Sequence, residues 1–247
     1  MLTRALTDLF GSPDLAQALV FRGGTALHKL YLESPSRYSE DIDLVQAEAG
    51  EIGPVLDEMR RVLDPWLGEP RRRRGPDSVS LLYRFLTSTL PAQNMRLKVE
   101  INTREHFSML GVTRHDFKVN TLWHAARVNV PTFELEELLA TKLRALYQRR
   151  KGRDLYDLWV ALATLEVDED RLITCFERYL EYGGVAVSRA QFEANLSAKL
   201  KSREFREDVV PLLRDGASYD VDAAAELVHA RLIARLRGEA WRGGTSR

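Results

Sequence analysis

The chain has 247 residues, 45 % of them hydrophobic and 29 % charged, and its 36 basic residues balance its 36 acidic residues. This composition is typical of a globular protein with one large domain or two small ones. It excludes a membrane-spanning helix, because no run of eighteen residues is apolar, and it excludes a strongly basic overall charge. A single cysteine, Cys175, excludes an internal disulfide and, with an N-terminus that lacks a long apolar run, predicts a cytoplasmic protein.

The first 130 residues have the pattern of a mixed α/β region. A short helix near residues 15–19 leads into a brief apolar run and a Gly-Gly turn, and "TALHKLYL" then has helical spacing. Strands are predicted where apolar and polar residues alternate, with helical spacing at 51–63 between them. The predicted strands are "DIDLV" at 41–45, a hairpin of 78–87 with 95–103, and edge strands at 117–121 and 126–130.

The pattern changes after Pro131, where every apolar segment has helical spacing. We therefore predict two domains, residues 1–130 and an all-helical 131–247, with Thr132 as the N-cap of the first helix. Trp123, Trp159 and Tyr156 are interpreted as core residues, and the tail at 241–247 is predicted to be disordered. The predicted helices cover 132–150, 153–165, 169–180, 191–200 and 223–237.

Two acidic residues alternate with apolar ones in "DIDLV". Asp41 and Asp43 therefore lie on one side of their strand, and in "RLKVEIN" Glu100 lies on the polar side of another. If the two strands are neighbours, three carboxylates meet and repel one another unless a divalent cation such as Mg²⁺ binds between them. The alternative is that the aspartates are simply solvent-facing.

A Gly-Gly-Thr sequence precedes this acidic strand. Gly23 and Gly24 permit a close backbone approach, and Thr25 stands at a helix start, whose free N–H groups suit an anion. On its own a Gly-Gly pair indicates only a tight turn. Followed by an acidic strand, it indicates a site for phosphates and a metal, which phosphoryl transfer requires.

A lysine falls within an apolar helical stripe in the second half of the chain. The spacing of Leu135, Leu138, Leu139, Leu143 and Leu146 places Lys142 on the same side. A buried ammonium needs an anion, unless the side chain reaches the surface. Asp154 and Asp157, at i and i+3 of the next helix, could pair with Lys142 or Arg153.

Taken in order, "RGGTALHKLY", "RYSEDIDLV", "RLKVEIN", "TKLRAL" and "RDLYDLW" resemble the AbiEii family, the nucleotidyltransferase toxins of type IV toxin–antitoxin systems, and the similar MenT toxins. The resemblance covers roughly residues 20–160. It implies an α+β fold, with a polymerase-β-like nucleotidyltransferase core containing a mixed sheet and an α-helical C-terminal domain that completes the active site.

The resemblance also implies roles for individual residues. Asp41 and Asp43 would bind Mg²⁺ and the nucleoside triphosphate, and Glu100 would be the third metal-site carboxylate and activate the attacking hydroxyl. The triphosphate would be lined by Gly23, Gly24 and Thr25 and contacted by Lys142. Either Asp154 or Asp157 would be required for activity.

Three further residues belong to these motifs. Ser39 matches a hydroxyl residue that can be phosphorylated in some MenT-like toxins, and otherwise makes a local turn contact. Arg37 could reach a phosphate or pair with Glu40. Arg22 stands where the family often has lysine, which leaves its contact with phosphate open.

The function implied by the resemblance is transfer of nucleotides from a nucleoside triphosphate to an RNA acceptor, with the tRNA 3′ end as the leading candidate, blocking translation. A cognate antitoxin is the implied partner. The basic clusters at 71–74 and 144–153 could hold the RNA backbone. The alternatives are a protein or small-molecule acceptor, which would not need those clusters, and a nucleotide-binding module without catalysis.

Overall fold

The computed structural model describes residues 1–34, 36–39, 41–87 and 91–243. Glu40, one predicted partner of Arg37, and residues 244–247 of the predicted disordered tail lie outside this description. The chain forms two compact units, one of residues 1–30 with 39–134 and one of residues 31–38 with 135–247. None of the helices in the described ranges is both long and apolar enough to cross a membrane.

The first unit contains a mixed seven-stranded sheet in the order β3-β4-β5-β2-β1-β7-β6. Its helices are α1 (Leu2–Gly11), α2 (Pro13–Ala18), the single turn α3 (Gly23–Ala26), continued by a π-helical turn at Leu27–Tyr31, and α4 (Gly53–Leu67). The strands are β1 (Leu19–Arg22), β2 (Asp41–Gln46), β3 (Arg71–Arg74), β4 (Ser78–Leu86), β5 (Asn94–Asn102), β6 (Val112–Thr121) and β7 (His124–Phe133).

One side of the sheet is covered by helices. Val79, Leu81 and Tyr83 of β4 are buried on this side, and the Tyr83 hydroxyl donates to Asp64 of α4 at 2.9 Å. On β2, Ile42 and Leu44 are buried, whereas Asp41 and Asp43 are only partly covered. The alternation therefore assigns the apolar residues to the helix-covered side and the acidic residues to the opposite side.

The second unit is built from helices, which are α5 (Leu135–Gln148), α6 (Gly152–Thr164), α7 (Glu169–Tyr182), α8 (Arg189–Leu200), α9 (Arg203–Glu207) and α10 (Val221–Arg231). Cys175 is fully buried in α7. Burial raises the pKa of its thiol to about 11, as expected for a packing residue. The predicted α+β class, a mixed sheet followed by a helical C-terminal part, is confirmed.

The predicted antiparallel hairpin of β4 with β5 is confirmed, with Ser80 opposite Glu100. Of the two predicted edge strands only β6 lies at the edge, because β7 is inserted between β6 and β1. The prediction that Thr132 caps a helix is wrong. Thr132 lies in β7, fully buried, and its hydroxyl donates to the Phe21 carbonyl oxygen at 2.7 Å.

The assignment of Trp123 to the core is also wrong. Trp123 and its neighbour Leu122 form the turn between β6 and β7, where they are 92 % and 96 % exposed. Tyr156 is buried, and Trp159 is partly buried against it with ring centroids 5.6 Å apart. A two-residue hairpin turn points away from the sheet, so an apolar residue there has no core to enter.

Candidate active site

Three carboxylates are brought to one side of the sheet by the pairing of β2 with β5. The two strands are parallel, with Asp41 opposite Lys98 and Asp43 opposite Glu100. Directly paired residues project from the same side of a sheet. The condition under which the sequence predicted a shared site, that these strands be neighbours, is therefore met.

Glu100 is held by two donors. The Lys98 ammonium forms an ion pair with it, and the Ser78 hydroxyl donates to its carboxylate at 2.9 Å. Burial alone raises the pKa of Glu100, but these hydrogen bonds outweigh it, so that the pKa lies below its usual range. Glu100 is consequently ionised at neutral pH, as a metal ligand must be.

The turn at Gly23 lies against Asp43. Gly23 has a φ of +81°, which disfavours any side chain, and a Cβ built on it would overlap the Asp43 carboxylate. Arg22, just before it, lies opposite Asp43 in the antiparallel pairing of β1 with β2. The glycine is thus required on two grounds, the backbone conformation and the close approach of the carboxylate.

Thr25 and Ser39 tie the turn to the start of β2. The buried Thr25 hydroxyl donates to the Asp41 carbonyl oxygen at 2.6 Å and is hydrogen-bonded to the Ser39 hydroxyl. These contacts fix the backbone at Asp41 relative to the Gly-Gly turn. Arg22 forms an ion pair with Glu105 at 2.7 Å, a contact that the sequence did not predict.

The donor set of this site consists of carboxylate oxygens, which suits a hard cation such as Mg²⁺. Within the described residues, no group of three or more acidic, histidine or cysteine side chains is arranged to hold a metal ion by itself. Mg²⁺ sites in phosphate-handling enzymes commonly use one or two carboxylates and complete the coordination with water and substrate phosphates, so the residues fit the ion.

Lys142, Asp154 and Asp157 meet inside the second unit. Lys142 is 6 % exposed and both aspartates are fully buried. The Lys142 Nζ lies 2.9 Å from an Asp157 oxygen and 3.4 Å from an Asp154 oxygen. The expected burial of Lys142 and its pairing with these acids are therefore observed.

Two arginines complete this buried cluster. Arg37 donates through Nε and Nη2 to the two Asp157 oxygens at 2.7 and 2.8 Å, and Arg149 donates to both Asp154 oxygens. Burial lowers the pKa of Arg37, but the Asp157 carboxylate outweighs this effect and raises it. Among the described residues Arg37 pairs with Asp157, and Asp154 pairs with Arg149 in addition to the predicted Lys142.

The fold is similar to that of several solved structures. One is MenT4, a nucleotidyltransferase toxin from Mycobacterium tuberculosis H37Rv, at 20% identity and a TM-score of 0.69, covering 96% of this chain and 82% of that chain. Another is JHP933 from Helicobacter pylori, at 18% identity and a TM-score of 0.57, covering 93% of this chain and 87% of that one. At such identities the likeness establishes the fold alone.

The family follows from the sequence match. Residues 4–227 match the family described as "Nucleotidyl transferase AbiEii toxin, Type IV TA system". The chain belongs to this family, and it is a nucleotidyltransferase. Its family implies a nucleoside triphosphate as substrate, usually a divalent metal, and an antitoxin as partner. No curated protein matches the chain.

Proposed function

We propose that this protein is a Mg²⁺-dependent nucleotidyltransferase toxin that adds nucleotides to RNA, at the 3′ end of tRNA, and so blocks translation in the cytoplasm. The observation that carries the proposal is the sheet register that aligns Asp43 with Glu100, two residues from Asp41 and against the Gly23 turn. A self-repelling acidic group beside a glycine turn has little value for stability and suits catalysis.

Asp41 and Asp43 would hold the metal and, through it, the nucleotide, with Glu100 as the third carboxylate. When bound, Mg²⁺ would neutralise charge on the triphosphate and on the departing pyrophosphate. The backbone amides at Gly24 and Thr25 would face the phosphates. The hydroxyls of Thr25 and Ser39 are hydrogen-bonded to each other, which supports a role for both residues in shaping this turn.

In the reaction, the acceptor hydroxyl oxygen forms a bond to the α-phosphorus, and the bond from that phosphorus to the β-phosphate oxygen breaks, releasing pyrophosphate. The hydroxyl proton passes to Glu100 and from there to water. The lowered pKa keeps the Glu100 carboxylate ionised at neutral pH, so that it would orient the hydroxyl and accept its proton.

For the buried cluster of the second unit we propose a structural role. Asp157 holds Arg37 and Lys142 together, and Asp154 holds Arg149. A buried network of this kind fixes the start of α6 against α5 and the 31–38 segment. That Lys142 contacts nucleotide phosphates, and that the helical domain completes the active site, stay predictions.

Of the two basic clusters, the one at 71–74 is the better candidate for RNA contact. In the other, Arg149 is paired with Asp154, Lys151 with Asp208, and Arg144 stacks over the Tyr179 ring. All four residues of 71–74 are exposed. Exposed arginines lose less on binding phosphate than arginines that already have a carboxylate partner.

The test is to incubate the protein with Mg²⁺, total RNA and each α-labelled nucleoside triphosphate in turn. Asp43→Asn is the site variant. Asp116→Asn is the matched control, because Asp116 is an exposed carboxylate of β6 that pairs with Arg127 of β7. We expect label in a tRNA-sized band with the wild type and the control only. Label in the protein fraction or in a small molecule instead of RNA would overturn the RNA acceptor.

A further inference from the structure

Four arginines of β3, β4 and β5 share the side of the sheet that carries the catalytic carboxylates. The pairing of β3 with β4 sets Arg73 opposite Ser80 and Arg71 opposite Leu82. The pairing of β4 with β5 then sets Ser80 opposite Glu100, Leu82 opposite Lys98 and Arg84 opposite Arg96. We call the group Arg71, Arg73, Arg84 and Arg96 the basic face.

The other two arginines of β3 project from the opposite side. Arg72 is paired with Leu81 and Arg74 with Val79, and both of these partners are buried on the side covered by helices. The run of four arginines is therefore divided by the pleat into two pairs of equal charge. Only Arg71 and Arg73 share a side with Asp43 and Glu100.

The spacing between these groups follows from the strand order. Three strand-to-strand steps separate β2 from β3, which places Arg73 about 14 Å from Asp43 along one row. Arg96 lies two residues before Lys98, which is opposite Asp41, and so about 7 Å beyond the acidic end of β2. The basic face thus begins next to the carboxylates and extends away from them.

Arg84 and Arg96 are directly opposite each other on neighbouring strands, and both are exposed. Like charges in this position destabilise a sheet. On an edge strand, arginines can have the sole purpose of preventing edge-to-edge aggregation. This would account for the arginines of β3. It does not account for β4 and β5, which are interior strands. In the part of the chain that the structure describes, Arg71, Arg73 and Arg84 form no ion pair.

We propose that the basic face binds the phosphate backbone of a single-stranded RNA end, a few nucleotides from the hydroxyl that reacts at Asp43. The inference rests on the proposed function and adds the path of the acceptor. A row of arginines at increasing distance from the carboxylates complements a polyanion that enters the site by one end.

The test compares Arg71→Ala/Arg73→Ala with Arg72→Ala/Arg74→Ala. Both double variants remove two charges from the same exposed strand, so they match in net charge. Binding of a short single-stranded RNA, with a 5′ fluorophore and a free 3′ hydroxyl, is followed by fluorescence anisotropy across a salt series. For the first pair we expect about tenfold weaker binding and a slope of log K against log salt that is shallower by about 1.4, which is 0.7 per lost phosphate contact. For the second pair we expect no change in slope.

Arg84→Ala gives an independent readout, because the loss of a merely structural arginine would lower stability and would not specifically weaken RNA binding. Removing one member of a like-charged pair should leave the thermal midpoint unchanged or raise it, while RNA binding weakens. Equal loss of RNA binding in the two double variants, with RNA extension by the wild type intact, would overturn this inference alone. If the wild type neither binds nor extends RNA, the proposed function fails with it.

Discussion

The buried cluster around Asp157 makes the sharpest prediction about stability, tested by Asp157→Ala. This substitution leaves Arg37 without the acceptor of two hydrogen bonds, and it removes the shorter contact of Lys142 while keeping the longer one, 3.4 Å to Asp154. Removing one partner of a buried ion pair costs about 3–5 kcal/mol. For a chain of this length, this corresponds to a fall in Tm of about 6–20 °C.

The assay is thermal and urea unfolding followed by circular dichroism. Asp116→Ala is the matched control, since Asp116 also accepts two hydrogen bonds from one arginine, Arg127, but on the exposed surface of β6. Solvent screens such a pair, so its loss should barely move the midpoint. In Arg37→Met/Asp157→Leu both charges go together, and part of the lost stability should return.

The reasoning fails if Asp157→Ala unfolds at the wild-type midpoint. If that variant is also inactive, Asp157 acts on the substrate and not through the fold. A fall in midpoint with activity retained at low temperature would assign the aspartate to structure alone.

Three further predictions concern single residues. Gly23→Ala should abolish nucleotide transfer, because the added Cβ would displace the Asp43 carboxylate. Gly111 also has a positive φ, +92°, but has open space around it, so Gly111→Ala should cost only stability. Equal activity in the two variants would contradict this. Cys175 should resist iodoacetamide in the native protein and react on unfolding in guanidinium, because burial raises the pKa of its thiol to about 11; modification of the folded protein, measured by mass spectrometry, would refute its burial. Glu193 is partly buried, which raises its pKa, but donors including Arg189 outweigh this and lower the pKa to about 2. The stability that Glu193 confers is therefore present above pH 4.5 and lost as the pH falls toward 2, so Glu193→Gln should flatten the pH dependence of the urea midpoint in that window, and an unchanged slope would count against it.

Local alternation in the sequence predicted the side of each strand that its residues occupy. "DIDLV" and "RLKVEIN" contain the period-two pattern of half-covered strands, so Asp41, Asp43 and Glu100 could be assigned to one side before their pairing was known. The helical stripe likewise predicted the burial of Lys142. In both cases the signal lies within a few residues of the position concerned.

Contacts between distant parts of the chain were not predictable in this way. Arg37 and Asp157 are 120 residues apart, and no local spacing relates them. The arginine run at 71–74 has no apolar alternation, and it forms a strand only because β4 offers it a pairing edge. Thr132 has the residue type of a helix cap, but it is paired with Phe21 of β1 and so belongs to strand β7.

The measurement that tests the central claim most directly counts both products of one reaction. Purified tRNA is incubated with the protein, Mg²⁺ and the nucleoside triphosphate that labels RNA, and the pyrophosphate released is compared with the nucleotides found at the RNA 3′ ends by mass spectrometry. The proposed function predicts equal amounts of the two, and neither with Asp43→Asn. Pyrophosphate without lengthened RNA, or lengthened RNA with Asp43→Asn, would contradict it.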